Sequence, residues 1–73
     1  METNELKEIL DKYFKLIFVV FKPDFNQYII HFRLSETNLQ HINYKWNNHF
    51  DKETNVSAIC NQIKETIINS FIR

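Results

Sequence analysis

The chain has 73 residues, with nine Lys+Arg against nine Asp+Glu, 44% hydrophobic and 15% aromatic residues. That length fits one domain, residues 1–73, and excludes an enzyme with a separate cofactor domain. Low hydrophobicity and high net charge, the marks of disorder, are both missing, and no apolar run approaches the roughly 20 residues of a membrane-spanning helix.

Residues 3–14 read as an amphipathic helix, because Leu6, Ile9, Leu10 and Tyr13 recur at helical spacing. Thr3 or Asn4 is the expected cap, and Glu8 and Lys12 the expected outer-face pair. Residues 15–22 change character: Leu16-Ile17-Phe18-Val19-Val20-Phe21 is β-branched and aromatic, which suits a strand, and it is apolar on both faces. Lys22-Pro23-Asp24-Phe25-Asn26 is a turn. Residues 27–34 form the second strand of a hairpin, with Tyr28, Ile30, Phe32 and Leu34 on one side and Ile29, His31 and Arg33 on the other.

After a turn at 35–38, residues 39–47 fit two patterns. Ile42, Tyr44 and Trp46 alternate as in a strand; Leu39, Ile42, Trp46 and Phe50 fit a helical stripe. The strand is favoured, since Asn43 and Asn47 are poor helix formers. The last element is a helix with Val56, Ile59, Cys60, Ile63, Ile67 and Phe71 as its stripe, widened by Ile68 and Ile72, and capped by Asp51, Thr54 or Asn55. The expected fold is α+β: helix, three-stranded antiparallel meander, helix, with both helices on one sheet face. That order is shared by double-stranded-RNA-binding domains. The resemblance is one of topology: their Gly-containing loops are missing, and Lys52-Glu53-Thr54-Asn55-Val56 lacks their Lys-rich helix start.

There is no Gly. Positive-φ positions therefore fall to Asn26, Asn38, Asn47, Asn48 or Asp51, and phosphate-cradling Gly loops are excluded. Ile, Asn and Lys are abundant and share AT-rich codons, which points to an AT-rich genome such as that of a low-GC bacterium, its phages or its plasmids. Cys60 is the single cysteine, so no intrachain disulfide forms and a reducing, cytoplasmic setting is expected. Met1-Glu2-Thr3-Asn4-Glu5 lacks the basic and apolar regions of a signal peptide.

Chemistry-bearing constellations are sparse. His31, His41, His49 and Cys60 match no zinc spacing, and Cys60 sits mid-stripe as a small hydrophobe. Neither a metal nor a cofactor is expected, and catalysis is not. Nucleic-acid binding needs a basic stripe. Residues 16–50 hold Lys22, Arg33 and Lys45 against two acids; residues 1–15 carry four acids and three bases, and residues 51–73 three of each. Those cations with Tyr28, Tyr44 and Trp46 make a stacking surface one reading; aromatics filling the core is the other.

The two-faced apolarity of residues 16–21 carries most weight. Helices on one side of the sheet leave Leu16, Phe18 and Val20 uncovered if Ile17, Val19 and Phe21 face inward. At ~25 cal/mol per Å² such a surface forgoes on the order of several kcal/mol, so a partner should cover it unless one helix crosses over. The reading is a non-enzymatic interaction module: a homodimer, or an accessory protein or inhibitor from a mobile element. It would dock through Leu16, Phe18, Val20, Phe25, Tyr44 and Trp46. A nucleic-acid-binding regulator using Lys22, Arg33 and Lys45 with Tyr44 and Trp46 is the alternative.

Overall fold

The structure is a computed structural model that describes residues 1–71, the side chains of Leu16 and Ile17 excepted. Helix α1 spans Thr3–Asp11, strands β1, β2 and β3 span Leu16–Lys22, Gln27–Arg33 and Leu39–Lys45, and helix α2 spans Lys52–Phe71. The strands form an open antiparallel sheet in the order β1-β2-β3. Leu6 and Leu10 of α1 and Ile59 and Ile63 of α2 share one core with Tyr28, Ile30, Phe32, Ile42 and Tyr44. Both helices therefore cover the same sheet face.

Register explains which residues enter that core. Val19 pairs with Ile30 and Phe21 with Tyr28; Ile30 pairs with Ile42 and Tyr28 with Tyr44. Because side chains alternate along a strand, these residues share the inner face. A register shift between Leu16 and Phe18 breaks the alternation at the start of β1.

The β1–β2 connection is a 3-10 turn over Pro23–Phe25 closed by Asn26, whose φ of 49° is the left-handed conformation the missing glycines would otherwise supply. Among the described residues only Asn26 has positive φ; Asn38, Asn47, Asn48 and Asp51 do not. Asn26 also stitches the hairpin to the end of β3. It accepts the Trp46 amide at 2.9 Å and donates from Nδ2 to the Trp46 carbonyl at 3.0 Å.

The helix ends differ from the sequence expectation. α1 stops at Asp11, so Tyr13 never completes the stripe and is 69% exposed. Glu2 stands at its N-cap without a side-chain hydrogen bond, displacing Thr3 and Asn4 from that role. Lys7 pairs with Asp11 at 2.8 Å, one residue out of phase with the expected Glu8–Lys12 pair. α2 is capped by Asp51, whose carboxylate accepts the Thr54 amide at 2.7 Å. At ~1.5 Å per residue its 20 residues run ~30 Å, past strands of ~23 Å. Full burial ends at Ile63; Ile68 and Phe71 are exposed rather than doubly buried. Ile72 lies outside the described residues.

Candidate interaction surface

Among the described residues no helix lies over the other sheet face. Alternation places Phe18, Val20 and Lys22 of β1 there, with Gln27, Ile29, His31 and Arg33 of β2 and Leu39, His41, Asn43 and Lys45 of β3. Phe18, Val20 and Leu39 are all exposed, Phe18 at 46% and Leu39 at 58%. Three cross-strand rows organise the face: Lys22–Gln27–Lys45 at one end, Val20–Ile29–Asn43 next, then Phe18–His31–His41. Beyond them Arg33 pairs with Leu39. With ~3.3 Å per residue and ~4.8 Å between strands, the face measures roughly 20 by 10 Å between these end rows.

The ring row is in contact throughout, with Phe18 stacked on His31 and His31 tilted against His41. Phe18 and His31 lie 4.2 Å apart between centroids at an interplanar angle of 26°, and His31 and His41 lie 5.5 Å apart at 35°. β1 and β3 are the edge strands, so no strand lies beyond Phe18 on one side or His41 on the other.

Charge is segregated although the chain is neutral. Every carboxylate lies off the strands: Glu2, Glu5, Glu8 and Asp11 in or beside α1, Asp24 and Glu36 in turns, Asp51, Glu53 and Glu65 in or beside α2. The strand positions of the open face carry Lys22, Arg33 and Lys45 and no Asp or Glu, while Asp24 in the adjoining turn lines a hollow with Gln27 and Lys45. Lys22 and Lys45 are exposed. Arg33 is also exposed and donates from Nη1 to the Glu36 carbonyl at 3.1 Å.

The sequence-derived interface residues are thus divided. Phe18 and Val20 are on the open face, and Phe25, 65% exposed, sits in the turn at its Lys22–Lys45 end. The interface role given to Leu16 falls on a side chain outside the described ones. Tyr44 requires correction, whereas Trp46 is half-buried. Tyr44 is buried on the helix-covered face, where its hydroxyl donates to Asn55 Oδ1 at 2.7 Å. Trp46 follows β3 and packs edge-on against Tyr28 and Tyr44. The reason is register: Tyr44 pairs with Tyr28 and so shares the parity of the core. The cations of the alternative reading have the opposite strand parity to Tyr44 and the buried Tyr28, whereas Lys45 lines a surface hollow with Trp46. His31, His41, Ile29, Asn43 and Leu39 are surface members that sequence reasoning did not assign. Their parity with Phe18, once the strands are registered, is the signal that finds them.

Asn55 holds the β3–α2 connection from within. It is fully buried. Its Oδ1 accepts Tyr44 Oη and the Asn47 amide at 3.0 Å, and its Nδ2 donates to the Asn47 and Asp51 carbonyls, each at 3.0 Å. Burial pushes the Tyr44 hydroxyl pKa upward, keeping it a donor. Lys52 bridges to Glu5, tying the starts of the two helices, and its hydrogen bond lowers the Glu5 pKa.

Cys60 lines a hollow between α1 and α2 with Ile9, Tyr13, Phe14 and Val56. Burial pushes its thiol pKa up against the opposing pull of Lys64. It lies on a helix of the covered side, away from His31 and His41. Among the described residues no three His, Cys, Asp or Glu come together as metal ligands, and no helix is long and apolar enough to cross a membrane.

No family model matches this chain, and no curated protein or solved structure does. The geometry of the open face therefore carries the functional argument.

Proposed function

We propose that this chain is a small binding module, acting without catalysis, whose uncovered sheet face docks a partner of opposite charge. The observation that carries the reading is the pairing of exposed Phe18, Val20 and Leu39 with Lys22, Arg33 and Lys45 on strand positions that hold no Asp or Glu, the nearest acidic residues, Asp24 and Glu36, standing in the flanking turns. Apolar area supplies affinity on desolvation, and the cations select and steer an anionic partner. The same charge disfavours a second copy as occupant. Two such faces laid together set three cations against three, with acidic side chains only in the flanking turns, and like charges brought together at an interface cost on the order of several kcal/mol. The Cys60 thiol and the imidazoles of the strands lie on opposite sides of the sheet and so do not form a Cys–His pair.

The test is titration with heparin, a polyanion without bases, monitored by calorimetry. The double variant Lys22→Glu/Lys45→Glu should lose binding, whereas Lys12→Glu/Lys64→Glu, with the same charge change on the helices, should retain it. Equal loss in both pairs, or no binding by the parent chain, contradicts the reading.

A further inference from the structure

We infer that the anionic partner is single-stranded nucleic acid, with bases extending the Phe18–His31–His41 stack and phosphates held by Lys22, Lys45 and Arg33. The inference rests on the reading of the open face as an anion-docking surface. It adds the chemistry that distinguishes one polyanion from another.

The stack is what a bare polyanion would not need. Three rings stand side by side across three strands, at 4.2 and 5.5 Å, on the one face that no helix covers. The terminal rings belong to edge strands, and both Phe18 and His41 are exposed. Each therefore offers a π-face on which an unpaired base can continue the stack. Base–aromatic stacking is sequence-tolerant, because every base presents a π-face.

The cations complete the site. Lys22 and Lys45 flank Gln27 on one side of the ring row, and Arg33 lies on the other, two residues past His31 along β2. A strand whose bases meet the rings has phosphate contacts available on both sides. A duplex would present its bases already paired and stacked internally, leaving the rings without partners. An acidic polypeptide satisfies the cations and has no planar groups that must meet a stack. Asn43, Gln27 and the imidazoles offer hydrogen bonds to base edges or phosphate without adding a carboxylate that would repel it.

The cation count sets the salt dependence. With about 0.7 counterion released per phosphate contact on a single strand, three contacts give a slope of about −2 in log K against log salt. Binding should weaken about 20-fold between roughly 50 and 200 mM salt. Removing one lysine should reduce the slope by about 0.7. Removing the Phe18 ring should weaken binding by about tenfold or more without changing the slope.

The experiment is fluorescence anisotropy of a labelled oligothymidylate of about twelve nucleotides, with unlabelled duplex and polyglutamate as competitors. Parent, Phe18→Ala, Lys45→Ala and Lys12→Ala are compared, and circular dichroism confirms that each is folded. Expected are saturable binding with the stated slope, loss in Phe18→Ala, a shallower slope in Lys45→Ala and no change in Lys12→Ala. Competition by duplex or polyglutamate as strong as by single strand, with Phe18→Ala indistinguishable from parent, overturns the nucleic-acid inference. If heparin binding then still requires Lys22 and Lys45, the anion-docking reading stands with an acidic protein as partner. If heparin does not bind either, both fall.

Discussion

Replacement of Asn55 by Ala probes how a 73-residue chain with a single cysteine, and so no intrachain disulfide, holds its last helix against the sheet. The side chain is fully buried and supports hydrogen bonds from Tyr44 Oη and the Asn47 amide, and to the Asn47 and Asp51 carbonyls. Alanine leaves two donors without a partner, the Tyr44 hydroxyl buried and the Asn47 amide partly buried. Each orphaned donor costs about 1–3 kcal/mol, so a loss of about 3 kcal/mol is expected after partial relaxation. A domain of this length has only about 4–11 kcal/mol in total, and at roughly 4–8 °C per kcal/mol the melting temperature falls by about 10–25 °C. Thermal and urea unfolding followed by circular dichroism measure it. Tyr44→Phe removes one of the two orphans in advance, so the double variant should cost less than the sum of the singles. A loss below about 1 kcal/mol for Asn55→Ala, or strict additivity with Tyr44→Phe, would refute the idea that this network is a single cooperative unit.

Ile59→Ala, at a position with no solvent exposure where α2 meets the core, should cost about 2–5 kcal/mol in the same assay. Asp51→Ala removes the α2 cap. Hydrogen bonding to Thr54 holds the Asp51 carboxyl below the usual carboxylate range, so the cap stabilises fully above about pH 4 and its contribution fades as pH falls through the lower folded-state value. The stability difference between parent and Asp51→Ala should therefore be widest near neutrality and close in acid. Cys60, whose thiol burial pushes upward, should alkylate more slowly at neutral pH than in denaturant; equal rates by mass spectrometry would contradict its placement against the helices.

The strands were legible because Tyr28, Ile30 and Phe32 alternate cleanly, and because Ile42 and Tyr44 continue the same period in the ambiguous stretch. Alternation gives parity within a strand but not register between strands. Without register, Tyr44 and Trp46 group with Phe18 as aromatic anchors, whereas pairing through Tyr28 sets Tyr44 on the opposite face. The end of α1 carries no Gly or Pro to announce it, and Tyr13 continues the helical spacing beyond the last turn. Nothing in Leu16-Ile17-Phe18 marks the register shift either.

Asn55 reads as a capping residue from sequence, since a polar group four residues before Ile59 looks like the start of a stripe. Its burial depends on Tyr44, which reaches it only after the meander has turned. The charge segregation was masked by summing over segments. Asp24 and Glu36 cancelled two of the three cations in residues 16–50, yet both lie in turns. Counting strand positions alone leaves Lys22, Arg33 and Lys45 unopposed.

The most direct test of the open face as the working surface is an amide chemical-shift titration of the isotopically labelled chain with oligothymidylate. The account predicts shifts clustered on Phe18, Val20, Lys22, Ile29, His31, His41 and Lys45, with the solvent-facing sides of α1 and α2 unmoved. Shifts centred on the helices, or no shifts at low salt, would contradict it.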